Sequence, residues 1–331
     1  MAFVVPGGIA GVTGGNEYDR AIIGALERRG WSVVVVDRYE SVSHADIVVV
    51  DSLSLRSGPP PAHALVVVLL HQIPSEAEQR PAWTRAEAAC VRGADLVIAV
   101  SEGVAASARD LGADEATVIP PGWDGAAADS RAAHPDRVLS VANAHPGKGV
   151  PEAVDAYSAA APLDQRLTLV GDLRRDPVEA RHVRAALERC PRPIEQTGLV
   201  EPQELSLLYT RAAVLLTASR YEGWPIAVAE AMASGVPVVG FDVPGVRELV
   251  RSGHDGLLVA PGDSAALADA LARVASDAGL AGSMGNAARR RARSWPRWEA
   301  TGRRFAEELE RLLLRRRAPR IPRSPSRTRT P

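Results

Sequence analysis

Three residues raise the question of chemistry. Glu222 and Glu230 stand eight positions apart in Glu222-Gly-Trp-Pro-Ile-Ala-Val-Ala-Glu230, and Lys148 is the single lysine of a chain that otherwise uses arginine. Pro225 suits the first turn of a helix, which leaves Glu222 in the preceding loop and Glu230 on the helix, where both can face one ligand. Carboxylates held apart in this way suit paired hydrogen bonds to neighbouring hydroxyls, as on a sugar or a ribose. The free N–H groups of a loop and a helix start suit a phosphate or an anionic oxygen. The spacing alone favours two solvated glutamates near a helix. Lys148 lies in Ser140-Val-Ala-Asn-Ala-His-Pro-Gly-Lys-Gly149, after an apolar run and before a helical one. An ammonium there is a point charge suited to a diphosphate oxygen and to a departing phosphate. A GC-rich coding bias accounts for the arginine excess, so a lysine kept against it favours a functional reading over a surface one.

His71 ends the apolar run 65–70, and the C-terminal ends of strands in an open sheet are where ligands bind. His145, in the lysine loop, and Ser101, after the run 96–100, are lesser candidates. Near the N-terminus, Val4-Val-Pro-Gly-Gly-Ile-Ala-Gly-Val-Thr-Gly-Gly-Asn-Glu-Tyr-Asp19 is glycine-rich, which lets a backbone approach a pyrophosphate closely. A dinucleotide site is conceivable there, but the strict G-x-G-x-x-G spacing is missing. Gly14 and Gly15 are the candidates for diphosphate contact. No His-Glu-x-x-His, paired-cysteine or Asp-x-Asp pattern occurs, so neither a metal nor another cofactor is expected.

These side chains need elements to hold them. Apolar runs at 2–5, 33–36, 47–50, 65–70, 96–100 and 117–119 read as strands buried on both faces, as parallel strands are. Helical patterns at 17–29, 82–92 and 102–111 fall between them, with Ser101 as an N-cap and Gly30 and Gly112 as stops. The rhythm pauses after Pro120-Pro-Gly-Trp-Asp-Gly125. It resumes with strands at 138–142, 167–170, 194–196, 214–217, 236–240 and 257–259. Helices are expected at 150–160, 178–189, 202–211, 225–233, 246–250 and 264–275. The fold class is α/β, with two Rossmann-like doubly wound domains. The expected division is 1–125, a linker at 126–136, a second domain at 137–294, a helix at 295–317 packing back across the domains, and a disordered tail at 318–331. Apolar residues at 305, 309, 312 and 313 mark that helix's buried stripe, whereas the Pro- and Arg-rich tail cannot bury apolar area.

The 331 residues, 46% hydrophobic and 24% charged, describe a globular protein of about two domains. Two cysteines build no disulfide framework, and no apolar run approaches the length of a membrane span. The N-terminus lacks the basic and apolar regions of a secretory signal, so the expected location is the cytoplasm. The net charge of −1 hides an asymmetry: residues 289–331 hold fifteen arginines against four glutamates. Such a segment could steer the chain to an anionic membrane surface, or it could be a solvated extension. Nucleic-acid binding is not expected, because no aromatic platform or motif accompanies the charge.

Ser219-Arg-Tyr-Glu-Gly-Trp-Pro-Ile-Ala-Val-Ala-Glu-Ala-Met-Ala-Ser-Gly-Val-Pro-Val-Val239 resembles the E-x7-E signature of glycosyltransferase family 4, whose GT-B fold sets two Rossmann-like domains face to face across a cleft. The resemblance continues through Pro244-Gly-Val-Arg-Glu-Leu249 and Gly253-His-Asp-Gly-Leu-Leu-Val-Ala-Pro-Gly-Asp263 and is dense over 138–265. Thr13-Gly-Gly-Asn-Glu-Tyr-Asp-Arg20 is similar to the opening of a bacterial branch of that family. The resemblance implies metal-independent transfer of a hexose-like sugar from a nucleotide diphosphate sugar, UDP- or GDP-linked for example, to an acceptor hydroxyl with retained configuration. It implies that Glu230 holds the ribose hydroxyls, that Glu222 contacts the sugar, and that Gly223, Trp224 and Pro225 position it. Lys148 and His71 would complete the catalytic set, and Leu199 and Val200 would line the base pocket. The acceptor would be a small molecule, a glycan or a lipid carrier, the last placing the chain at the inner face of the membrane. One position departs from the family: Asn143 stands where an arginine is usual, five residues before the lysine. Either Arg174 or Arg175 supplies the charge in its place, or the phosphate clamp is weaker. Two alternatives follow, a nucleotide-sugar epimerase on the same fold and a non-catalytic binder of sugar nucleotides.

Overall fold

The computed structural model describes residues 1–10, 13–42, 44–56, 63–77, 81–124, 135–160 and 163–317. The segment 125–134, most of the expected linker, and the tail 318–331 lie outside the described residues.

The first six strands are β1 (Ala2–Val4), β2 (Val34–Val36), β3 (Ile47–Asp51), β4 (Leu65–Leu70), β5 (Leu96–Ala99) and β6 (Thr117–Val118), joined in one parallel sheet in the order β2-β1-β3-β4-β5-β6. Every residue of β3 and β4 is buried, which is why these runs lack polar alternation: helices cover both faces. Among the described residues, the α-helices of this half are α1 (Gly14–Arg28), α2 (Pro74–Ala77), α3 (Thr84–Arg92) and α4 (Glu102–Asp110). The Ser101 hydroxyl accepts from Val104 N–H and caps α4. Ser101 is fully buried in that role, so it is a cap and not a cleft side chain.

The second sheet comprises β7 (Arg137–Val141), β8 (Arg166–Val170), β9 (Ile194–Gly198), β10 (Ala212–Thr217), β11 (Val238–Phe241) and β12 (Gly256–Val259), all parallel, in the order β12-β11-β10-β7-β8-β9. Its helices are α5 (Val150–Ala159), α6 (Pro177–Arg189), α7 (Pro202–Arg211), α8 (Ile226–Ala233), α9 (Pro244–Leu249), α10 (Ser264–Ser276) and α11 (Ala278–Ala292). Helix α8 begins one residue later than expected, with Pro225 at its N-cap. Each sheet builds its own apolar core.

The last described helix, α12 (Trp298–Arg317), returns to the first sheet. Phe305, Ala306 and Leu309 are fully buried there, and the Phe305 ring stacks on Phe3 with centroids 6.4 Å apart. Gly302 allows the approach to α1, since a Cβ at that position would lie 2.3 Å from Ala25 Cβ. No described helix is long and apolar enough to cross a membrane.

In an open parallel sheet the chain leaves neighbouring strands in opposite directions at one place, and the gap so formed is where ligands bind. That place is between β1 and β3 in the first sheet and between β7 and β10 in the second. The loops after these four strands, together with the end of β4, carry the residues described next.

Candidate active site

Lys148 follows β7 and Glu222 follows β10, so the switch point of the second sheet brings them together from 74 positions apart. The ammonium Nζ donates to both carboxylate oxygens, at 2.8 and 2.9 Å. Lys148 is 39% exposed and Glu222 10% exposed, so the pair sits at an accessible rim with its carboxylate nearly covered. Glu230 projects from α8 and accepts from the Tyr209 hydroxyl at 2.9 Å. Burial raises the Glu230 carboxyl pKa; the Tyr209 hydrogen bond opposes the rise and the nearby Glu17 carboxylate adds to it. Glu17 lies on α1, so α1 and α8 face each other across the domain boundary.

That boundary is tight, and glycines make it so. A Cβ on Gly14 would meet Ile226 Cδ1 at 2.7 Å, and one on Gly15 would meet the His71 ring at 3.2 Å. On Gly223 a Cβ would lie 1.8 Å from the His71 carbonyl oxygen, and on Gly245 it would lie 2.3 Å from the Glu222 carbonyl. Gly14 and Gly15, which the sequence suggests for diphosphate contact, therefore open α1 behind the Thr13 cap and let it close onto α8 and His71. Trp224 packs against the cores of both sheets. Its ring meets Trp295 edge-on at 6.4 Å. Pro225 is buried.

His71 ends β4 and does not stand alone. Its Nε2 lies 3.0 Å from Asp19 Oδ1 and 3.2 Å from Asp51 Oδ2. Burial alone would depress the imidazole pKa, but the charge and hydrogen bond of Asp19, then those of Asp51, outweigh it and push His71 up to about 10. Burial also raises the Asp19 carboxyl, against the pull of His71.

The remaining candidates are distributed less tightly. Asn143 uses its side-chain oxygen to accept from Asp172 N–H at 2.8 Å, tying the end of β7 to that of β8. Its carbonyl is thus committed to the backbone, and it contributes no charge. Arg174 is exposed, and its backbone N–H donates to Asp172 Oδ1; its guanidinium is not brought to Lys148 by any contact among the described residues. Leu199 is 75% exposed beyond β9, whereas Val200 packs against the second core. His145 caps the short turn before Lys148, its Nδ1 accepting from Gly147 N–H.

Four residues at this boundary escape sequence reasoning. Asp19 and Asp51 hold His71; the first lies in a quoted motif and the second ends an apolar run, the same signal that picks out His71. Tyr221 accepts from Ile73 N–H at 2.9 Å. Glu248, on α9, accepts from Glu102 N–H at 2.9 Å and Gly103 N–H at 2.7 Å, at the start of α4 in the other half. Free N–H groups at a helix start attract a carboxylate, but nothing in the sequence says that one comes from 145 residues away.

With this geometry in view, likeness to other proteins is informative. Residues 135–277 match the glycosyl transferases group 1 family. The glycogen synthase of Mycobacterium tuberculosis is 31% identical over 222 residues, covering 63% of this chain and 52% of that protein. The chain thus spans about half the length of that relative. Among solved structures, the sucrose-phosphate synthase of Thermosynechococcus elongatus superposes with a TM-score of 0.78 at 21% identity, covering 95% of this chain and 99% of that one. Anabaena HepE, in complex with UDP and glucose, gives 0.76 at 19% identity, covering 93% and 98%. These superpositions establish the GT-B architecture of two parallel sheets facing across a cleft. Residues 135–277, the part that matches the group 1 glycosyltransferases, span the lysine loop, the glutamate pair and the sheet that joins them.

Proposed function

We propose that the chain is a metal-independent, retaining glycosyltransferase that moves a hexose from a nucleotide diphosphate sugar to an acceptor hydroxyl. The observation that carries this reading is the Lys148–Glu222 pair at the switch point of the second sheet, opposite the His71 end of β4. Each charge satisfies the other in the pair. An arriving diphosphate competes for the ammonium, and the released carboxylate turns to the sugar hydroxyls. Lys148 then stabilises the negative charge that builds on the departing phosphate, a contact whose removal costs on the order of 10²–10³ in turnover. Glu230, held by Tyr209, takes the ribose hydroxyls; Gly223, Trp224 and Pro225 form the turn beneath the sugar; Leu199 and Val200 line the base. HepE, a structural neighbour, is seen with UDP and glucose, which favours a UDP-linked hexose as the first donor to test. Charge compensation by Lys148 requires no divalent cation, so activity is expected to survive EDTA.

The same reading treats 1–125 as the acceptor-side domain and 137–294 as the donor side, with 295–317 as the helix that straps them. It places the protein in the cytoplasm, with the arginine-rich C-terminal region able to meet the inner face of a membrane if the acceptor is a lipid carrier. The test is nucleotide release from UDP-, GDP- and dTDP-sugars, with and without acceptors. Release that depends on an acceptor supports transfer.

A second reading rests on Asn143. Its side chain is tied to Asp172 and adds no positive charge beside Lys148, which favours a protein that binds donor without turning it over. Tight UDP-glucose binding with no nucleotide release under any acceptor would select it.

A further inference from the structure

One short stretch of the first half, residues 71–77, lies against both loops that carry the Lys148–Glu222 pair. Toward the glutamate loop it presents two backbone groups: the His71 carbonyl abuts Gly223, and the Ile73 N–H donates to the Tyr221 hydroxyl at 2.9 Å. Toward the lysine loop it presents Ala77, whose carbonyl oxygen would lie 2.8 Å from a Cβ on Gly147. Tyr221 and Gly223 flank Glu222 in the chain, and Gly147 directly precedes Lys148. The contacts of this stretch therefore fall on the immediate neighbours of both charged residues.

The stretch is itself fastened to the first half. Glu87 of α3 is 0% exposed, a buried carboxylate that the donor site does not use. It accepts from the Ser75 N–H at 2.9 Å and from the Ser75 hydroxyl, bonds that a buried carboxylate needs in order to stay buried. Ile73 is buried as well. Tyr221 meets this fastened stretch from the second half. Burial raises the pKa of its hydroxyl, so the phenol keeps a proton to give. It gives that proton to the carboxylate of Glu76 on α2, which also accepts from the Ser107 hydroxyl of α4 at 2.9 Å. A side chain of the second half thus makes its hydrogen bonds to the Ile73 N–H and the Glu76 carboxylate, both groups of the first half.

We propose that the stretch 71–77 is a template by which the first half sets the spacing of Lys148 and Glu222, and that Tyr221 is the positioning residue that registers the glutamate loop on it. A loop has no ladder of its own hydrogen bonds to fix its register, and here the register comes from the opposite half. The consequence for turnover rests on the glycosyltransferase reading, whereas the geometry of the pair does not. The rival arrangement is that the two loops fix each other. The Arg220 N–H donates to the Gly147 carbonyl at 2.9 Å, and a Cβ on Gly149 would lie 2.0 Å from the Ala218 carbonyl oxygen. Those contacts join the loops ahead of Glu222, while the contacts of Tyr221 and Gly223 bracket it.

Lys148 supplies the reporter, because it is the only lysine in the sequence: labelling the full chain with 15N-lysine gives a single ammonium signal. Glu222→Gln, which removes the paired charge, gives the reference position for an ammonium without its carboxylate. In Tyr221→Phe, which removes only a hydroxyl, the signal is expected to move toward that reference and its protons to exchange faster with water. With UDP-glucose as the probe, kcat for nucleotide release is expected to fall about tenfold while KM stays within about threefold. A wild-type ammonium signal in Tyr221→Phe overturns the proposal and leaves the two loops fixing each other. A lower melting temperature with kcat and signal unchanged likewise overturns it, reducing Tyr221 to packing. In the wild type the Ile73 amide is expected to exchange slowly, and faster in Tyr221→Phe. Exchange of that amide in the wild type at the rate of an exposed one overturns the proposal without any variant having to fold. Absence of UDP-glucose binding and turnover in the wild type defeats the glycosyltransferase reading and the kinetic expectation, while the ammonium signal decides the positioning role by itself.

Discussion

The contact between Gly223 and the His71 carbonyl gives the sharpest mutational test. A methyl group at Gly223 would lie 1.8 Å from that oxygen, while real Cβ atoms stay beyond 3.0 Å from such neighbours. Gly223→Ala must therefore separate the Glu222 loop from the end of β4 by at least about 1.2 Å, the difference of those distances. Neither side can yield cheaply: the carbonyl belongs to the chain leaving a fully buried strand, and Gly245 presses on the same loop from behind. A displacement of about 1 Å at a reacting centre costs on the order of 10²-fold in rate. Nucleotide release from a sugar nucleotide is expected to fall by about that factor, and small-angle scattering is expected to show a larger radius of gyration. Gly24→Ala, on α1, is the control, because its methyl group meets only the flexible tip of Arg28 at 3.2 Å. It should leave turnover unchanged and raise stability by about 0.5–1 kcal/mol. Wild-type turnover and compactness in Gly223→Ala would refute the reasoning that this contact sets the alignment of the two halves.

Four further outcomes are expected. Lys148→Ala and Glu222→Ala should each reduce turnover by about 10²–10³; Glu222→Ala should change the melting temperature little, since the ammonium it frees is 39% exposed, whereas Lys148→Ala strands a carboxylate only 10% exposed and should lower it; rates near wild type in both would remove them from the site. Glu248→Ala deletes a carboxylate that caps α4 from the other domain, costing about 1 kcal/mol as cap deletions do, and it should loosen closure, seen as faster amide exchange at Glu102 and Gly103. Phe305→Ala removes a fully buried ring that joins α12 to the first sheet and should cost about 3–5 kcal/mol, read from denaturant unfolding. His71 has a folded-state pKa of about 10 against about 6.5 unfolded. Its contribution to stability is complete below about pH 6.5 and fades as pH rises toward 10, at up to about 1.4 kcal/mol per pH unit. His71→Gln should flatten that decline in a melting series from pH 7 to 10.

Much of this protein was legible from local pattern alone. Apolar runs without alternation, such as 47–50 and 65–70, specify strands covered on both faces, and the structure places both at the centre of a parallel sheet. The Ser101 cap and the stripe at 305, 309 and 312 follow from hydrogen-bonding and helical periodicity that a few residues contain entirely. Lys148 could be singled out as the single lysine, Glu222 by its spacing from Glu230, and His71 by its place at the end of an apolar run. Partnership was not legible. The Lys148–Glu222 pair arises because β7 and β10 are neighbours in the sheet although β8 and β9 intervene in sequence, and strand order is a property of the whole packed layer. Asp19, Asp51 and His71 meet because α1, β3 and β4 converge on one edge, and the Glu248 clasp on α4 exists only once the two halves are docked. A residue's type and neighbours along the chain fix its local conformation and its possible chemistry. Which charge it faces, and hence its protonation and its reach, is decided by contacts over long sequence separations that only folding brings about.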